Sequence, residues 1–230
     1  MKIAIGLGKN KNILKALEQF SDEFEIARTN DELMTLYDDP SIDGIIRGSL
    51  ESNVFCELKK RYSNMFRATV LEINGKDILL TPVGIDEGDS NDSKKCIISE
   101  CAKFLHHKGI EPRIALISGG RKDDIGRSPK IDKSIKECED LEKQLKDTYN
   151  IKHYYILIEE AIKDNRNVII APDGITGNIM FRSLVLVAGI KSKGAVTLKQ
   201  PKPFIDTSRS QSTEGYVNAI RLMKCTLEKE

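Results

Sequence analysis

Three segments place glycine beside arginine or a hydroxyl where a short apolar run ends and a helical pattern begins. They are Arg47-Gly48-Ser49, then Ser118-Gly119-Gly120-Arg121 with Arg127 a few residues on, and Pro172-Asp173-Gly174-Ile175-Thr176-Gly177-Asn178 with Arg182 beyond it. Glycine lets backbone N–H groups turn toward a ligand with no Cβ in the way. A helix start adds unsatisfied donors and a partial positive charge, and arginine supplies a planar fork that matches phosphate oxygens. Together these are the parts of an anion cradle. Each loop alone is also ordinary turn chemistry, and each arginine could equally pair with a carboxylate of the chain. A fourth segment, Phe204-Ile205-Asp206-Thr207-Ser208-Arg209-Ser210, offers a carboxylate, hydroxyls and a guanidinium after the breaker Gln200-Pro201-Lys202-Pro203. It reads either as a site or as a surface loop whose Ser212 or Thr213 caps the last helix.

Alternation of strand and helix must carry these loops. Short β-branched runs at Ile3–Leu7, Phe24–Ala27 and Gly44–Ile46 alternate with helical patterns through Leu14 and Leu17, Leu33 and Leu36, and Phe55 and Leu58. That rhythm predicts βα units and a largely parallel sheet. Asn74-Gly75 between 66–73 and 76–81 predicts a two-residue hairpin, at a sheet edge or between lobes. After the Gly/Asp/Ser-rich stretch 82–93 the rhythm resumes. It predicts a helix near 94–108, strands at 113–117, 154–158, 167–171 and 195–198, a helix through Ile135 and Leu141, another from Gly177, and a last helix from about Thr213. Ligands of open parallel sheets sit at the carboxyl ends of strands, where the three loops fall.

The 230 residues carry a formal net charge of +1 with 31% charged and 40% hydrophobic residues. Near-neutrality argues against nucleic acid or an anionic membrane as partner, and no apolar run is long enough to span a bilayer. Five scattered cysteines without CxxC spacing predict reduced thiols, a cytoplasmic location and no zinc ribbon. The three histidines lack metal-binding spacing and are read as structural or surface residues.

In order, these segments resemble the phosphate acetyl/butyryltransferases. Asp43-Gly44-Ile45-Ile46-Arg47-Gly48-Ser49 is similar to that family's D-G-x-V-x-G strand end. Asp173-Gly174-Ile175-Thr176-Gly177-Asn178 is similar to the D-G-x-T-G-N of phosphate acyltransferases of phospholipid synthesis, and Asp206-Thr207-Ser208-Arg209 to the terminal D-L-S-R. More narrowly, Ser118-Gly119-Gly120-Arg121, Asp124, Gly126-Arg127 and Asp132-Lys133-Ser134 resemble the methanogen marker family MtxX, named for an association with methyltransferases.

The resemblance implies a three-layer α/β/α sandwich of the isocitrate/isopropylmalate-dehydrogenase-like class, with two lobes, an interlobe cleft and a homodimer. The lobes are expected at 1–88 with 204–230, and at 89–203. It further implies a phosphorylated small molecule in the cleft, with CoA or another phosphorylated ligand as the cofactor-like component. Ser208 and Arg209 would stabilise developing charge, with Arg47, Gly48, Ser49, Ser118, Gly119, Gly120, Arg121, Arg127, Asp173, Gly174, Thr176, Gly177, Asn178 and Arg182 holding the ligand.

The chain departs from the family pattern where the general-base aspartate belongs, because that position is Gly215; Asp206 and Glu214 are the remaining candidate bases. Two functions follow. One is a phosphate acyltransferase-like enzyme linked to methanogenesis. The other is a non-catalytic accessory or regulatory subunit of a methanogen methyltransferase system, with methyltransferase subunits as partners. Direct methyl transfer has less behind it, since Gly6-Leu7-Gly8 is followed by Lys11 where a GxGxxG fingerprint needs its third glycine.

Overall fold

The computed structural model describes residues 1–63 and 65–228. The N-terminal elements are β1 (Ile3–Gly6), α1 (Asn12–Leu17), β2 (Phe24–Ala27), α2 (Asn30–Asp38), β3 (Gly44–Ile46), α3 (Val54–Arg61) and β4 (Phe66–Ile73). The middle of the chain forms β5 (Lys76–Thr81), α4 (Asn91–His107), β6 (Arg113–Leu116), α5 (Pro129–Leu145), β7 (Asn150–His153), α6 (Ile158–Lys163), β8 (Val168–Ile170) and α7 (Gly174–Phe181). β9 (Lys191–Leu198), β10 (Phe204–Asp206) and α8 (Thr213–Leu227) complete it. Residues 1–70 and 191–230 make one compact unit, and 71–190 a second. The boundaries expected at 88/89 and 203/204 therefore move. Residues 71–88 enter the second unit because β5 pairs with β8, and β9 enters the first because it pairs with β10.

In the first unit β1 lies between β2 and β3, all parallel. β10 continues the parallel set beside β3, and β9 runs antiparallel to β10. The segment 204–210, weighed as a surface loop, thus begins as an inner strand. Phe204 and Ile205 are buried, and a parallel ladder next to β3 demands such apolar residues on both faces. The Phe204 ring meets Phe55 edge-on at 5.6 Å within a cluster that includes Leu33, Ile45, Val54 and Leu58. Each fully buried side chain of this kind contributes about 1.5–3 kcal/mol.

In the second unit the parallel order is β5, β8, β6, β7. β5 lies between its hairpin partner β4 and β8 rather than standing at an edge. α4 buries Lys94, Ile97, Ile98, Cys101, Ala102 and Leu105, a stripe of helical period. α5 buries Ile135, Cys138 and Leu141, and opens with Ser128 as N-cap and Pro129 in the first turn. Burial pushes the Cys138 thiol up to about 12, so it stays protonated.

The strand expected at 154–158 is displaced to Asn150–His153. Its apolar run looks strand-like, but Tyr155 has φ +56°, which ends extension before α6 begins. The Asn74-Gly75 turn forms as expected, with φ of 52° and 74°. Among the described residues no helix is long and apolar enough to cross a membrane.

Candidate functional site

The second unit contains a cavity of about 730 Å³, within the usual range for small-molecule sites. Its floor is the loop after β6, Ile117-Ser118-Gly119, and the loop after β8, Pro172-Asp173. Those are the carboxyl ends of neighbouring parallel strands, where such sheets bind ligands.

Three helices begin at its rim. Gly88 and Asp89 lead into the α4 N-cap Ser90; Lys130 and Ile131 lie in the first turn of α5; Asp173 is the N-cap of α7 and Thr176 lies in its first turn. Each helix contributes roughly half a positive charge there. Lys94, Lys130 and Lys133 add three ammonium groups to the lining, against the carboxylates of Asp89, Glu137 and Asp173. Two of these carboxylates are engaged. Asp173 Oδ1 accepts the Thr176 N–H at 2.7 Å, and Glu137 lies 3.4 Å from Lys94 Nζ and 3.8 Å from Lys133 Nζ. Lys94 is only 4% exposed, so its ammonium is held inside the wall rather than in solvent. Three ammonium groups offset three carboxylates, so it is the helix starts that tip the cavity toward an anion.

Of the residues expected to contact a ligand, Ser118, Gly119, Asp173 and Thr176 line this cavity of the second unit. Gly174 and Gly177 serve it from behind. A Cβ on Gly174 would lie 1.7 Å from the Gly84 carbonyl oxygen, and one on Gly177 would lie 1.9 Å from that of Pro82. Asn178 Nδ2 donates to the Val83 carbonyl at 2.9 Å. The Asp-Gly-Ile-Thr-Gly-Asn motif therefore seats the start of α7 on the backbone of 82–88. Gly120 packs on Ile131, where a Cβ would meet Cγ2 at 2.7 Å. Arg121 and Arg127 close a short turn around Asp124 instead of joining the lining. Asp124 Oδ2 accepts the Arg121 N–H at 2.8 Å and Oδ1 accepts from Arg127 Nη1 at 2.6 Å, which holds its carboxyl below the usual range. Arg182 is exposed on the π-helical continuation 182–187.

Lys94, Lys130, Lys133, Ser134 and Glu137 also line the cavity and were not among the expected ligand contacts. Positions 130, 133, 134 and 137 share one face of α5 from its first turn, a polar stripe legible as i, i+3, i+4, i+7. His153 follows from the displaced strand. It is buried on β7, with Nε2 2.9 Å from Ser118 Oγ and its ring 4.2 Å from that of Tyr155. Burial pushes its imidazole down to about 4, so it is neutral near pH 7.

The first unit gathers the other expected residues into an internal network. Arg47 is 4% exposed. Its Nε donates to Asp206 Oδ1 at 2.5 Å, and its other nitrogens donate to the carbonyls of Leu50 and Thr207. Thr207 Oγ1 donates to the Gly48 carbonyl at 2.7 Å, and Ser49 Oγ accepts from Gly8 N while donating to Asn10 O. Gly48 has φ +64° and sits against the Gly6 carbonyl, where only glycine fits. Arg209 pairs with Glu51 at the surface, and the Ser208 carbonyl accepts from Tyr216. Glu214 is exposed in the first turn of α8. At Gly215 the Gln211 side chain fills the space that a Cβ would need, with Cδ 2.2 Å away.

No family model matches the chain. It is 42% identical over 234 residues to an uncharacterized methyltransferase of Methanocaldococcus jannaschii, covering 96% of both chains. It is 37% identical over 207 residues to the "Putative methyltransferase mtx subunit X" of Methanosarcina barkeri, covering 86% of this chain and 75% of that one. The chain belongs to the MtxX family. Among solved structures, a branched-chain phosphotransacylase from Enterococcus faecalis superposes with a TM-score of 0.74 over 99% of both chains at 16% identity. A 4-hydroxythreonine-4-phosphate dehydrogenase from Klebsiella pneumoniae gives 0.59 over 86% of this chain and 68% of its own at 11% identity. The MtxX chain thus has the mixed α/β fold of the phosphotransacylases and of dehydrogenases of the isocitrate/isopropylmalate class.

Proposed function

We propose that this MtxX protein binds a phosphate-bearing small molecule, of the acyl phosphate kind, in the cavity of the second unit, as a phosphate acyltransferase-like protein linked to methanogenesis. The observation that carries this is the meeting of three helix N-termini with Lys94, Lys130 and Lys133 at the ends of β6 and β8. A phosphate would draw the buried Lys94 and the exposed Lys133 from Glu137, gaining two charge-assisted contacts. Ser118, Gly119, Thr176 and Ser134 supply neutral polar lining around it. The phosphotransacylase fold agrees with a phosphate ligand without naming one. The test is a calorimetric titration with inorganic phosphate and with acetyl phosphate. Saturable one-to-one binding that weakens with added salt is expected, and a Lys130→Met/Lys133→Met chain should bind at least 10-fold more weakly. Equal binding by that chain would refute the assignment.

A second reading has its own support. Gly215 stands where the resembled acyltransferases carry their base, and Gln211 occupies the space beside it. The named relatives are called subunits of a methyltransferase. A non-catalytic role in a methyltransferase assembly would show as co-purification of the native chain with a methyltransferase polypeptide and no turnover of acetyl phosphate. Turnover by the isolated chain would exclude it.

A further inference from the structure

We infer that Ser118 is a nucleophile, with His153 as its base, that takes the acyl group from an acyl phosphate bound in the cavity. The inference rests on the cavity as a phosphate site. Ser118 lines that cavity at the end of β6, while His153 ends β7, the next strand in parallel register, where Leu116 pairs with His153. The register brings the imidazole Nε2 to 2.9 Å from Ser118 Oγ, both residues being buried. Ser118 Oγ also reaches the Gly120 carbonyl as a donor at 3.3 Å, the longer of its two contacts, and turning its one proton to Nε2 gives up that weaker bond. The Ser118 N–H is tied to the Tyr155 carbonyl at 2.8 Å, and the Tyr155 ring packs on the imidazole, so one turn fixes both partners. A hydroxyl within hydrogen-bond reach of an oriented imidazole is the arrangement that activates a serine.

The chemistry balances without any group beyond the acyl phosphate and an acceptor. Ser118 Oγ attacks the acyl carbon while its proton passes to Nε2. The bond from that carbon to the bridging oxygen breaks, the imidazolium hands that proton to the departing oxygen, and hydrogen phosphate leaves among Lys94, Lys130 and Lys133. The acyl-serine then passes its acyl group to a thiol or water, whose proton replaces the first, and His153 returns its proton to Ser118. The negative phosphate nearby supplies the counter-charge a buried imidazolium needs.

The experiment incubates the full chain with acetyl phosphate and maps the adducts by mass spectrometry. Binding of acetyl phosphate is measured in parallel by calorimetry. Expected is an acetyl ester on Ser118, labile to hydroxylamine where acetyl-lysine is stable, formed with an initial burst of one phosphate per ester. Ser118→Ala should carry no ester on that peptide, and Ser118→Cys should carry a thioester. His153→Gln should form the ester about 100-fold more slowly with unchanged acetyl phosphate affinity, a split that a merely structural histidine would not give. Binding without any Ser118 adduct in wild type overturns this inference and leaves the phosphate site standing. Absence of binding overturns both.

Discussion

His153 is neutral because burial removes it from water, and that has a cost in acid. Its folded value of about 4 lies below the value near 6.5 of an unfolded chain. The unfolded state therefore binds the extra proton between those values, and stability rises with pH there. The contribution is complete above about pH 6.5, is lost as pH falls toward 4, and changes no further below. On the order of 2–3 kcal/mol is at stake. Urea unfolding at pH 7 and pH 4 should show it, and His153→Gln should flatten the difference. Asp206 is the other residue whose role is decided by a neighbour. Arg47 is buried against it, so Asp206→Ala strands a guanidinium that keeps only two carbonyl partners. A loss of about 3 kcal/mol is expected in denaturant midpoint analysis. A change below 1 kcal/mol would show that Leu50 and Thr207 suffice.

Two helix starts explain how far the sequence could be read. The Asp-Gly-Ile-Thr-Gly-Asn motif was legible as a helix start near a ligand, and α7 does begin there and does line the cavity. Its glycines were taken for ligand contacts, whereas they meet the backbone at Gly84 and Pro82, a distance relation between segments some ninety residues apart that periodicity does not encode. Gly174→Ala drives a Cβ into a carbonyl oxygen that cannot swing aside. It should cost more than about 3 kcal/mol by thermal unfolding; near-wild-type stability would mean the 82–88 loop yields freely. The start of α8 behaves differently, because Gly215 faces a side chain. Gly215→Ala is expected to cost about 1–2 kcal/mol, and Gln211→Ala in the same chain should recover most of it. If the pair is additive, Gln211 is not what keeps position 215 small. β10 and β7 are displaced from the expected pattern for related reasons: a segment after two prolines reads as a loop, and an apolar run past Tyr154 draws the strand away from its true place.

At the scale of the molecule, fold and site divide the legible features unevenly. The βα rhythm and the Asn74-Gly75 hairpin came from local pattern, which parallel sheets record in short apolar runs, while the phosphotransacylase-like class came from the resemblance of a few motifs. The cradle came out differently. Arginines were expected to hold the anion, but Arg47 is enclosed by its own unit, Arg127 and Arg209 pair with carboxylates, and lysines from two helix starts line the cavity instead. Near-neutral net charge gave no hint of where those lysines gather. The most direct test compares two variants in one phosphate titration. Lys94→Met removes the buried ammonium and should weaken phosphate binding roughly 10- to 100-fold, the loss of one charged hydrogen bond. Arg209→Ala should leave the affinity within twofold. The opposite pattern, with Lys94→Met binding as wild type and Arg209→Ala failing, would contradict the cavity of the second unit as the phosphate site.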